Sequence, residues 1–244
     1  MGVSRGGRRG LGSRLFRLCG ALFVLGLVAA ALLWLITPSV GDAWDRLHTL
    51  TTQNHSAQLN EPVPPKFEAA LVATEDSRFY RHHGIDSIGV VRGGVGFVTG
   101  NETGGSTLNQ QLAKNLYFDG QHPMWLAPAQ MTVALKLDRA YSKADILQMY
   151  ADISYFGHGF YGLRDAACGY FGLTPDELTW SQASLLAGLV QAPTNYDPLE
   201  HPDLAAKRQE HVLDRLVATG AITEEQKQAI TPATWDLNPG TRCR

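Results

Sequence analysis

A run of 19 uncharged, mostly apolar residues near the N-terminus constrains this chain more than any other feature. It extends from Leu18 to Ile36, "LCGALFVLGLVAAALLWLI". As an α-helix rising about 1.5 Å per residue it would be about 28 Å long, close to the roughly 30 Å core of a lipid bilayer. A cleaved signal peptide is the alternative, but its apolar core usually has about 7 to 15 residues. We therefore expect residues 18–38 to form a transmembrane anchor.

The charges around this run predict its orientation. Five arginines precede it, and the first acidic residue of the chain is Asp42. Because basic residues stay on the cytoplasmic side of a single span, residues 1–17 are expected to be a cytoplasmic basic tail. The chain would cross the membrane once and place everything after residue 38 outside the cytoplasm.

The part of the chain after the anchor is acidic. The chain has 21 Lys and Arg residues, of which five precede the span, and 23 Asp and Glu residues, so the remainder carries a net charge of −7. An acidic domain is a poor candidate for binding nucleic acid, and no such partner is expected. A length of 244 residues with 44% hydrophobic composition is sufficient for one sizeable core.

The three cysteines give little information. Cys19 lies in the apolar run, and Cys168 and Cys243 could pair in an oxidising compartment or stay free. The sequence has no CxxC and no Cys/His cluster with metal-ligand spacing, so no structural metal site is expected.

Helix signals recur along the rest of the chain, whereas strand patterns are scarce. Residues 39–61 are expected to be a polar stalk, and residues 62–244 a mainly α-helical domain. Only residues 88–100, "IGVVRGGVGFVTG", alternate in a β-like way, and their glycines favour a mobile loop or hairpin. Helix starts are predicted by prolines or capping residues at five places: Pro64 and Pro65, Ser142, Thr179, Pro202 and Thr223.

The segment "VATEDSRFYRHHG", residues 72–84, is the first candidate for chemistry. On a continuous helix Glu75 and His82 would lie two turns apart on one face, with Phe79 between them. The ordinary structural explanation is an exposed ion pair between Glu75 and Arg78, which contributes little to stability. The functional explanation is a carboxylate held in a cleft to move a proton. The residues alone leave both open.

The segment "TGGSTLNQQLAKNLYF", residues 103–118, is the second candidate. Its glycine pair allows a flexible turn, and Ser106 or Thr107 can cap the helix that follows, whose free N–H groups form an anion site. Lys114 lies two turns beyond Thr107, where an ammonium group could meet a phosphate. A capped amphipathic helix with a solvated face is the structural alternative.

Together the two segments resemble the peptidoglycan glycosyltransferase family, found in monofunctional biosynthetic transglycosylases and in the glycosyltransferase domain of class A penicillin-binding proteins. The first family motif, Glu-Asp-x-x-Phe-x-x-His-x-Gly, is matched by Glu75, Asp76, Phe79, His82 and Gly84. The second, Gly-x-Ser-Thr-hydrophobic-x-Gln-Gln-hydrophobic-x-Lys-Asn, is matched by Gly104, Ser106, Thr107, Leu108, Gln110, Gln111, Leu112, Lys114 and Asn115. The resemblance covers about residues 62–230.

The resemblance implies a lysozyme-like, mainly α-helical fold with a membrane-dipping subdomain, for which residues 88–100 are the candidate. It implies that Glu75 is the general base. This residue would take the proton from the 4-hydroxyl of an acceptor lipid II, which then attacks the growing chain and releases undecaprenyl pyrophosphate. The substrate-binding positions implied by the motifs are Asp76, Phe79, His82, Ser106, Thr107, Gln110, Gln111, Lys114, Asn115 and Gln130.

The third family motif, Arg-Lys-x-x-Glu, departs from the family pattern in this chain. Counting back from "LDRAYSK" aligns it with Leu126, Ala127 and, at the Glu position, Gln130, so its charged residues are absent. Lys114, His122 or a divalent cation such as Mg²⁺ or Mn²⁺ would then neutralise the pyrophosphate, although the sequence requires no cofactor. This departure supports an alternative, a catalytically weakened or inactive relative that acts as a lipid II-binding scaffold.

A hydrolase is a third interpretation, in which Asp76 or Asp152 would serve as the second carboxylate. The resemblance favours synthesis of glycan strands, and with it a location in the bacterial inner membrane. The expected partners are lipid II, the growing glycan strand and membrane lipid. Penicillin-binding transpeptidases or division proteins are further candidates.

Overall fold

The computed structural model describes residues 8–99, 105–121 and 123–239. In these ranges the regular secondary structure is helical, with two isolated β-bridges and no β-strand. The chain divides into two compact units, one up to Pro38 and one from Ser39 onward. The mainly α-helical class expected from the sequence is confirmed.

Eleven α-helices lie in the described residues: α1 (Arg8–Ile36), α2 (Ala43–Gln53), α3 (Pro65–Glu75), α4 (Ser87–Thr99), α5 (Leu108–Tyr117), α6 (Ala127–Ala140), α7 (Lys143–Ile153), α8 (Leu163–Phe171), α9 (Trp180–Leu189), α10 (Pro202–Thr219) and α11 (Glu224–Gln228). Short 3₁₀ helices occupy Met124–Leu126, Pro175–Glu177 and Pro232–Thr234.

Helix α1 forms the first unit. It contains 23 residues, Arg14–Ile36, that are long and apolar enough to cross a membrane. None of this apolar stretch is buried inside the protein. A helix of this length and composition, with exposed apolar side chains, is typical of a membrane span or a signal sequence, whereas a core helix would be covered.

Residues 39–61 are not the polar stalk expected from the sequence. Ala43 and Leu47 on α2 are fully buried, and the hydroxyl of Tyr141 donates to the carbonyl of Val40 at 2.7 Å. The buried positions of α2 recur every four residues, at Ala43, Leu47 and Thr51, and form one narrow stripe on a polar helix. A helix with so few apolar residues looks like a solvated segment in the sequence, yet α2 packs against α7 and belongs to the domain.

The segment after α2 is held to the core through its backbone. The amide of Leu59 donates to Asp152 Oδ1 at 2.8 Å, and the amide of Ala57 donates to the carboxylate of Asp165 at 3.4 Å. The carbonyl of Leu59 accepts from Gln148 Nε2 at 3.3 Å. Side chains of α7 and α8 therefore fix the connection between α2 and α3.

Helix α3 places Glu75 at its C-terminal end. Pro65 opens the helix, Phe67 and Leu71 are fully buried, and the backbone leaves helical geometry at Asp76, with φ −153°. Its neighbours are α9 and α10. Because the helix ends at Glu75, the expectation that Glu75 and His82 share one helix face was wrong.

Residues 87–99 form helix α4, so the loop or hairpin expected for this segment was also wrong; Gly100 lies outside the described residues. One of its glycines has a packing role. A Cβ added at Gly89 would lie 2.7 Å from Asp86 Oδ2 and 3.1 Å from the carbonyl oxygen of Gly105. The glycine therefore permits close approach of α4 to the loop before α5. In the sequence, the alternating pattern and the glycines of this segment indicated a loop or hairpin instead.

The capping signals were read correctly. The hydroxyl of Thr107 accepts from the amide of Gln110, and equivalent capping boxes begin α7, α9 and α11. Helix α10 ends at Gly220, with φ +75°, a conformation in which glycine has no steric cost. These boxes are local, so they could be recognised from the sequence alone.

Candidate active site

A cleft of about 810 Å³ is lined by residues of both sequence motifs. The end of α3, the loop before α5 and one face of α10 surround it. Its lining consists of Thr74, Glu75, Asp76, Ser77, Asp86, Arg92, Gly105, Ser106, Thr107, Gln111, Lys114, Val190, Gln191, Arg208, His211 and Arg215.

The carboxylate of Glu75 is held at both oxygens. Arg208 Nη2 lies 2.9 Å from Oε1, and Gln111 Nε2 donates to Oε2 at 3.2 Å. The side chains of Glu75 and Arg208 are 13% and 11% exposed. Arg208 also donates from Nε to the carbonyl of Gly188 at 3.1 Å, which fixes the guanidinium. A carboxylate held in this way has a defined direction and remains open to the cleft.

The ordinary structural explanation predicted an ion pair between Glu75 and Arg78, and this prediction was wrong. Arg78 forms a two-point ion pair with Asp86, in which Nε lies 3.1 Å from Oδ1. The hydrogen bond from Arg78 is the main reason why the pKa of Asp86 lies below its usual value. The helix ends before Arg78, so the spacing that would have brought it to Glu75 does not exist.

Asp76 and His82 connect the two sequence motifs. His82 Nε2 lies 2.8 Å from Asp76 Oδ2, and the same oxygen accepts from the amide of Leu108 at 3.0 Å, at the start of α5. His82 is 8% exposed and Phe79 is fully buried. These contacts show Phe79 and His82 behind the cleft wall, where they support it, while Asp76 lies on the lining.

The second motif supplies the opposite wall. Ser106 is exposed on the cleft, and Lys114 and Gln111 extend into it from α5. Thr107 also lines the cleft, but its hydroxyl is buried, donates to the carbonyl of Gly84 at 2.7 Å and caps α5 together with Gln110. The motif therefore combines residues that face the cleft with residues that shape the helix start.

Asn115, Gln110 and Gln130 lie outside the lining of the cleft. Gln130 belongs to α6, and its Nε2 donates to the carbonyl of Gln121 at 2.6 Å. His122, the other expected neutralising residue of this region, lies outside the described residues. The structure does not bring Gln130 together with Glu75.

Sequence reasoning missed the contribution of α10. Arg208, His211 and Arg215 follow the i, i+3, i+7 spacing of one helix face, and all three line the cleft. That spacing was the available signal, but nothing in the local pattern indicated that this face meets α3. Burial, together with the charges of Arg208 and Arg215, lowers the pKa of His211, so this imidazole is neutral at neutral pH.

The cleft carries cationic side chains from three helices. Among the described residues, four cations line it, Arg92, Lys114, Arg208 and Arg215, together with three carboxylates. Each of these carboxylates already faces a cationic or imidazole partner. No group of three His, Cys, Asp or Glu in the part of the chain that the structure describes could hold a metal ion. Among the described residues, the carboxylates of the cleft are thus already engaged by cationic or imidazole partners, rather than open to Mg²⁺ or Mn²⁺.

The second carboxylate that a hydrolase would use is not placed for that role. Asp152 is 1% exposed and accepts from the amide of Leu59. Oδ2 of Asp76 accepts from the amide of Leu108 and contacts His82. Among the described residues, the Glu75 carboxylate lies at the cleft beside several cations, an arrangement suited to proton transfer and to a leaving group that is an anion.

Comparison with known proteins agrees with the motifs. A family model described as Transglycosylase matches residues 43–217. A protein of Cupriavidus necator whose name describes it, provisionally, as a transglycosylase is 35% identical over 206 residues, covering 83% of this chain and 89% of that protein. Penicillin-binding protein 1A of Escherichia coli is 37% identical over 168 residues, covering 68% of this chain and 20% of that protein.

Other relatives are much longer than this chain. It spans 26% of penicillin-binding protein 1F of Bacillus subtilis, to which it is 36% identical. The crystal structure of penicillin-binding protein 1A from Haemophilus influenzae aligns with a TM-score of 0.41 and 22% identity, over 70% of this chain and 17% of that one. On the family match and the near full-length relative, the chain belongs to the transglycosylase family, the peptidoglycan glycosyltransferases.

Proposed function

We propose that this protein polymerises lipid II into glycan strands, with Glu75 as the general base. The growing chain would be transferred from undecaprenyl pyrophosphate to the 4-hydroxyl of an acceptor lipid II. One observation supports this role: Gln111 and Arg208 hold the Glu75 carboxylate at the cleft, which Lys114, Arg92 and Arg215 also line.

The geometry suits removal of a proton from an alcohol. A base must keep one lone pair directed at the substrate, and two fixed hydrogen-bond donors leave Glu75 little freedom to rotate. The proton of the acceptor 4-hydroxyl would pass to the Glu75 carboxylate as the acceptor oxygen attacks the anomeric carbon of the growing chain. The bond from this carbon to the pyrophosphate oxygen breaks in the same step.

The leaving group carries negative charge that the cleft must stabilise. We propose that Lys114 takes this role together with Arg92 and Arg215, which line the same cleft. Fixed cations directed at a developing charge are among the strongest catalytic contributions available to an enzyme. Helix α10 would thus supply positive charge that the third family motif lacks in this chain.

Helix α1 and the arginines before it support a location in the bacterial inner membrane, with the N-terminus in the cytoplasm and the catalytic domain outside. Lipid II and the growing strand both carry a lipid anchor, so the enzyme and its substrates would share one surface. Penicillin-binding transpeptidases or division proteins are proposed partners, since an uncrosslinked strand must be processed further.

The test is polymerisation of labelled lipid II by the full-length protein in liposomes, with and without Mg²⁺. Glu75→Gln keeps the shape and removes the base, so we expect at least a 100-fold loss of strand formation while lipid II binding persists. Glu68→Gln, on the same helix but outside the cleft, is the control and should retain wild-type rates. Equal rates for Glu75→Gln and wild type would refute the assignment.

The inactive scaffold is the second candidate, because the third motif has lost its charges. Lipid II binding by the wild-type protein without strand formation, under conditions where Escherichia coli penicillin-binding protein 1A is active, would establish it. Strands that depend on Glu75 would exclude it. A Mg²⁺ requirement would show that the substrate brings a cation to the cleft.

A further inference from the structure

A buried tyrosine is connected to Glu75 through Gln111. The hydroxyl of Tyr150 on α7 lies 2.8 Å from Gln111 Oε1 on α5, and Gln111 Nε2 lies 3.2 Å from Glu75 Oε2. Tyr150 is 2% exposed and does not line the cleft. Two hydrogen bonds therefore link the interior of the domain to the proposed base across three helices.

The tyrosine hydroxyl acts as the donor in this chain. Burial raises the pKa of Tyr150 well above its usual value, and the negative charge of Glu75 raises it further. The phenol thus keeps its proton throughout the physiological range. In its hydrogen bond to Gln111 the hydroxyl donates to the carbonyl oxygen of the amide, while the NH₂ group of the same amide donates to Glu75.

This donor determines which end of the Gln111 amide faces Glu75. A carbonyl oxygen and an NH₂ group have nearly the same shape, so their neighbours decide the orientation. With the oxygen bound by Tyr150, the NH₂ group is directed at the carboxylate. Without the hydroxyl the amide loses the donor at its oxygen end, so it is held less firmly against the Glu75 carboxylate.

We propose that Tyr150 is a positioning residue for glycosyl transfer, which fixes the Gln111 amide so that Gln111 holds the Glu75 carboxylate toward the acceptor hydroxyl. The proposal rests on the role of Glu75 as the base. Arg208 holds one carboxylate oxygen from α10, and the Tyr150–Gln111 pair holds the other from the opposite side. Tyr150 itself touches neither substrate nor cleft.

The test compares Tyr150→Phe with Tyr170→Phe in the full-length protein. Both phenols are buried, and the hydroxyl of Tyr170 donates to the carbonyl of Phe156 at 3.0 Å, with no connection to Glu75. Tyr150→Phe should lower kcat about 10-fold and leave KM for lipid II within about twofold. Tyr170→Phe should lose similar thermal stability and keep kcat. Equal kcat losses in both variants would overturn the proposal.

The pH–rate profile separates positioning from general destabilisation. The groups around the Glu75 carboxylate are Arg208, His211 and Arg215 on α10, Gln111 and Lys114 on α5, and Tyr150 on α7. A misaligned carboxylate slows proton transfer at every pH, so kcat for Tyr150→Phe should fall by a similar factor across the whole profile, whereas a destabilised fold would lose activity mainly at the pH extremes. A wild-type kcat across the profile would contradict the proposal.

Gln111→Met tests the same positioning role from the other end of the hydrogen bond, and it remains informative if Tyr150→Phe folds poorly. This variant should show a kcat loss at least as large as that of Tyr150→Phe, with its unfolding midpoint close to wild type. Adding Tyr150→Phe to it should lower kcat no further, because the tyrosine acts only through Gln111. Additive losses would overturn the proposal. If Glu75→Gln retained activity, the proposed base would fail instead, whatever the tyrosine variants showed.

Discussion

Asp152 is a buried carboxyl group with only one oxygen bonded in the structure. Oδ1 accepts from Leu59, and Oδ2 has no hydrogen-bond partner among the described residues. Burial raises the pKa of Asp152 to about 7, although the Leu59 amide opposes this shift. An ordinary aspartate in the unfolded chain has a pKa of about 3.9. The folded state therefore binds an extra proton between about pH 4 and pH 7.

This difference predicts how stability depends on pH. Because the folded state holds more protons than the unfolded state in that window, the free energy of unfolding falls as the pH rises through it. Asp152→Asn keeps the acceptor for Leu59 and removes the charge, so it should unfold at higher temperature than wild type at pH 8. The gain should be at least about 1 kcal/mol and should shrink by pH 5.

Scanning calorimetry at pH 5 and pH 8 checks this expectation, with Glu61→Gln, an exposed acid near the same segment, as the control. The control should change neither midpoint by more than a degree or two. Equal midpoints for wild type and Asp152→Asn at both pH values would show that folding does not raise the pKa of this carboxyl.

At the scale of helices, the sequence predicts where several helices begin but not how they pack. Capping boxes mark the starts of α5, α7, α9 and α11 because they involve residues only three apart. Helix α2 was missed because only three of its side chains are buried. Helix α4 was missed because its glycines weaken a helix in isolation, and their purpose appears only when the loop before α5 is placed beside it.

That contact between α4 and the loop gives a prediction. A Cβ at Gly105 would lie 2.6 Å from the carbonyl oxygen of Gly89, a backbone atom that cannot move aside alone. Gly105→Ala should therefore separate α4 from the loop, displace Ser106 and raise KM for lipid II several-fold. It should also cost about 1 to 3 kcal/mol of stability. Steady-state polymerisation and thermal unfolding measure the two effects.

The matched substitution is Gly41→Ala, because a Cβ at Gly41 would meet nothing within 4 Å. This variant should keep both its KM and its unfolding midpoint. If Gly105→Ala behaved in the same way, the close approach of the two backbones would not be required for the cleft.

At the scale of the whole molecule, the chain divides at Pro38 into a helix long enough for a membrane and a domain with its own core. A chain that begins at Ser39 should therefore unfold cooperatively near the midpoint of the full-length protein. Carbonate should extract it from liposomes, whereas the full-length protein should resist, because an inserted span is effectively irreversible. Loss of the cooperative transition would show that the domain depends on α1.

The distance between site residues along the chain determines which of them could be predicted from the sequence. Glu75, Gln111 and Lys114 were found because each lies in a short continuous motif. Arg208 was missed, since 133 residues separate it from Glu75 and only the packing of α10 against α3 brings them together. The third motif lacks its charged residues in this chain, and helix α10 adds cations to Lys114 from a part of the chain that the three motifs do not include.

The long interval between Glu75 and Arg208 has a consequence during biosynthesis. The ribosome produces Glu75 well before Arg208, because 133 residues separate them. Until α10 has emerged and docked, the carboxylate has no guanidinium beside it and the cleft lacks one wall. The site is therefore complete only on chains that have been made at least as far as α10, so a nascent chain that stops short of this helix lacks the Glu75–Arg208 pair.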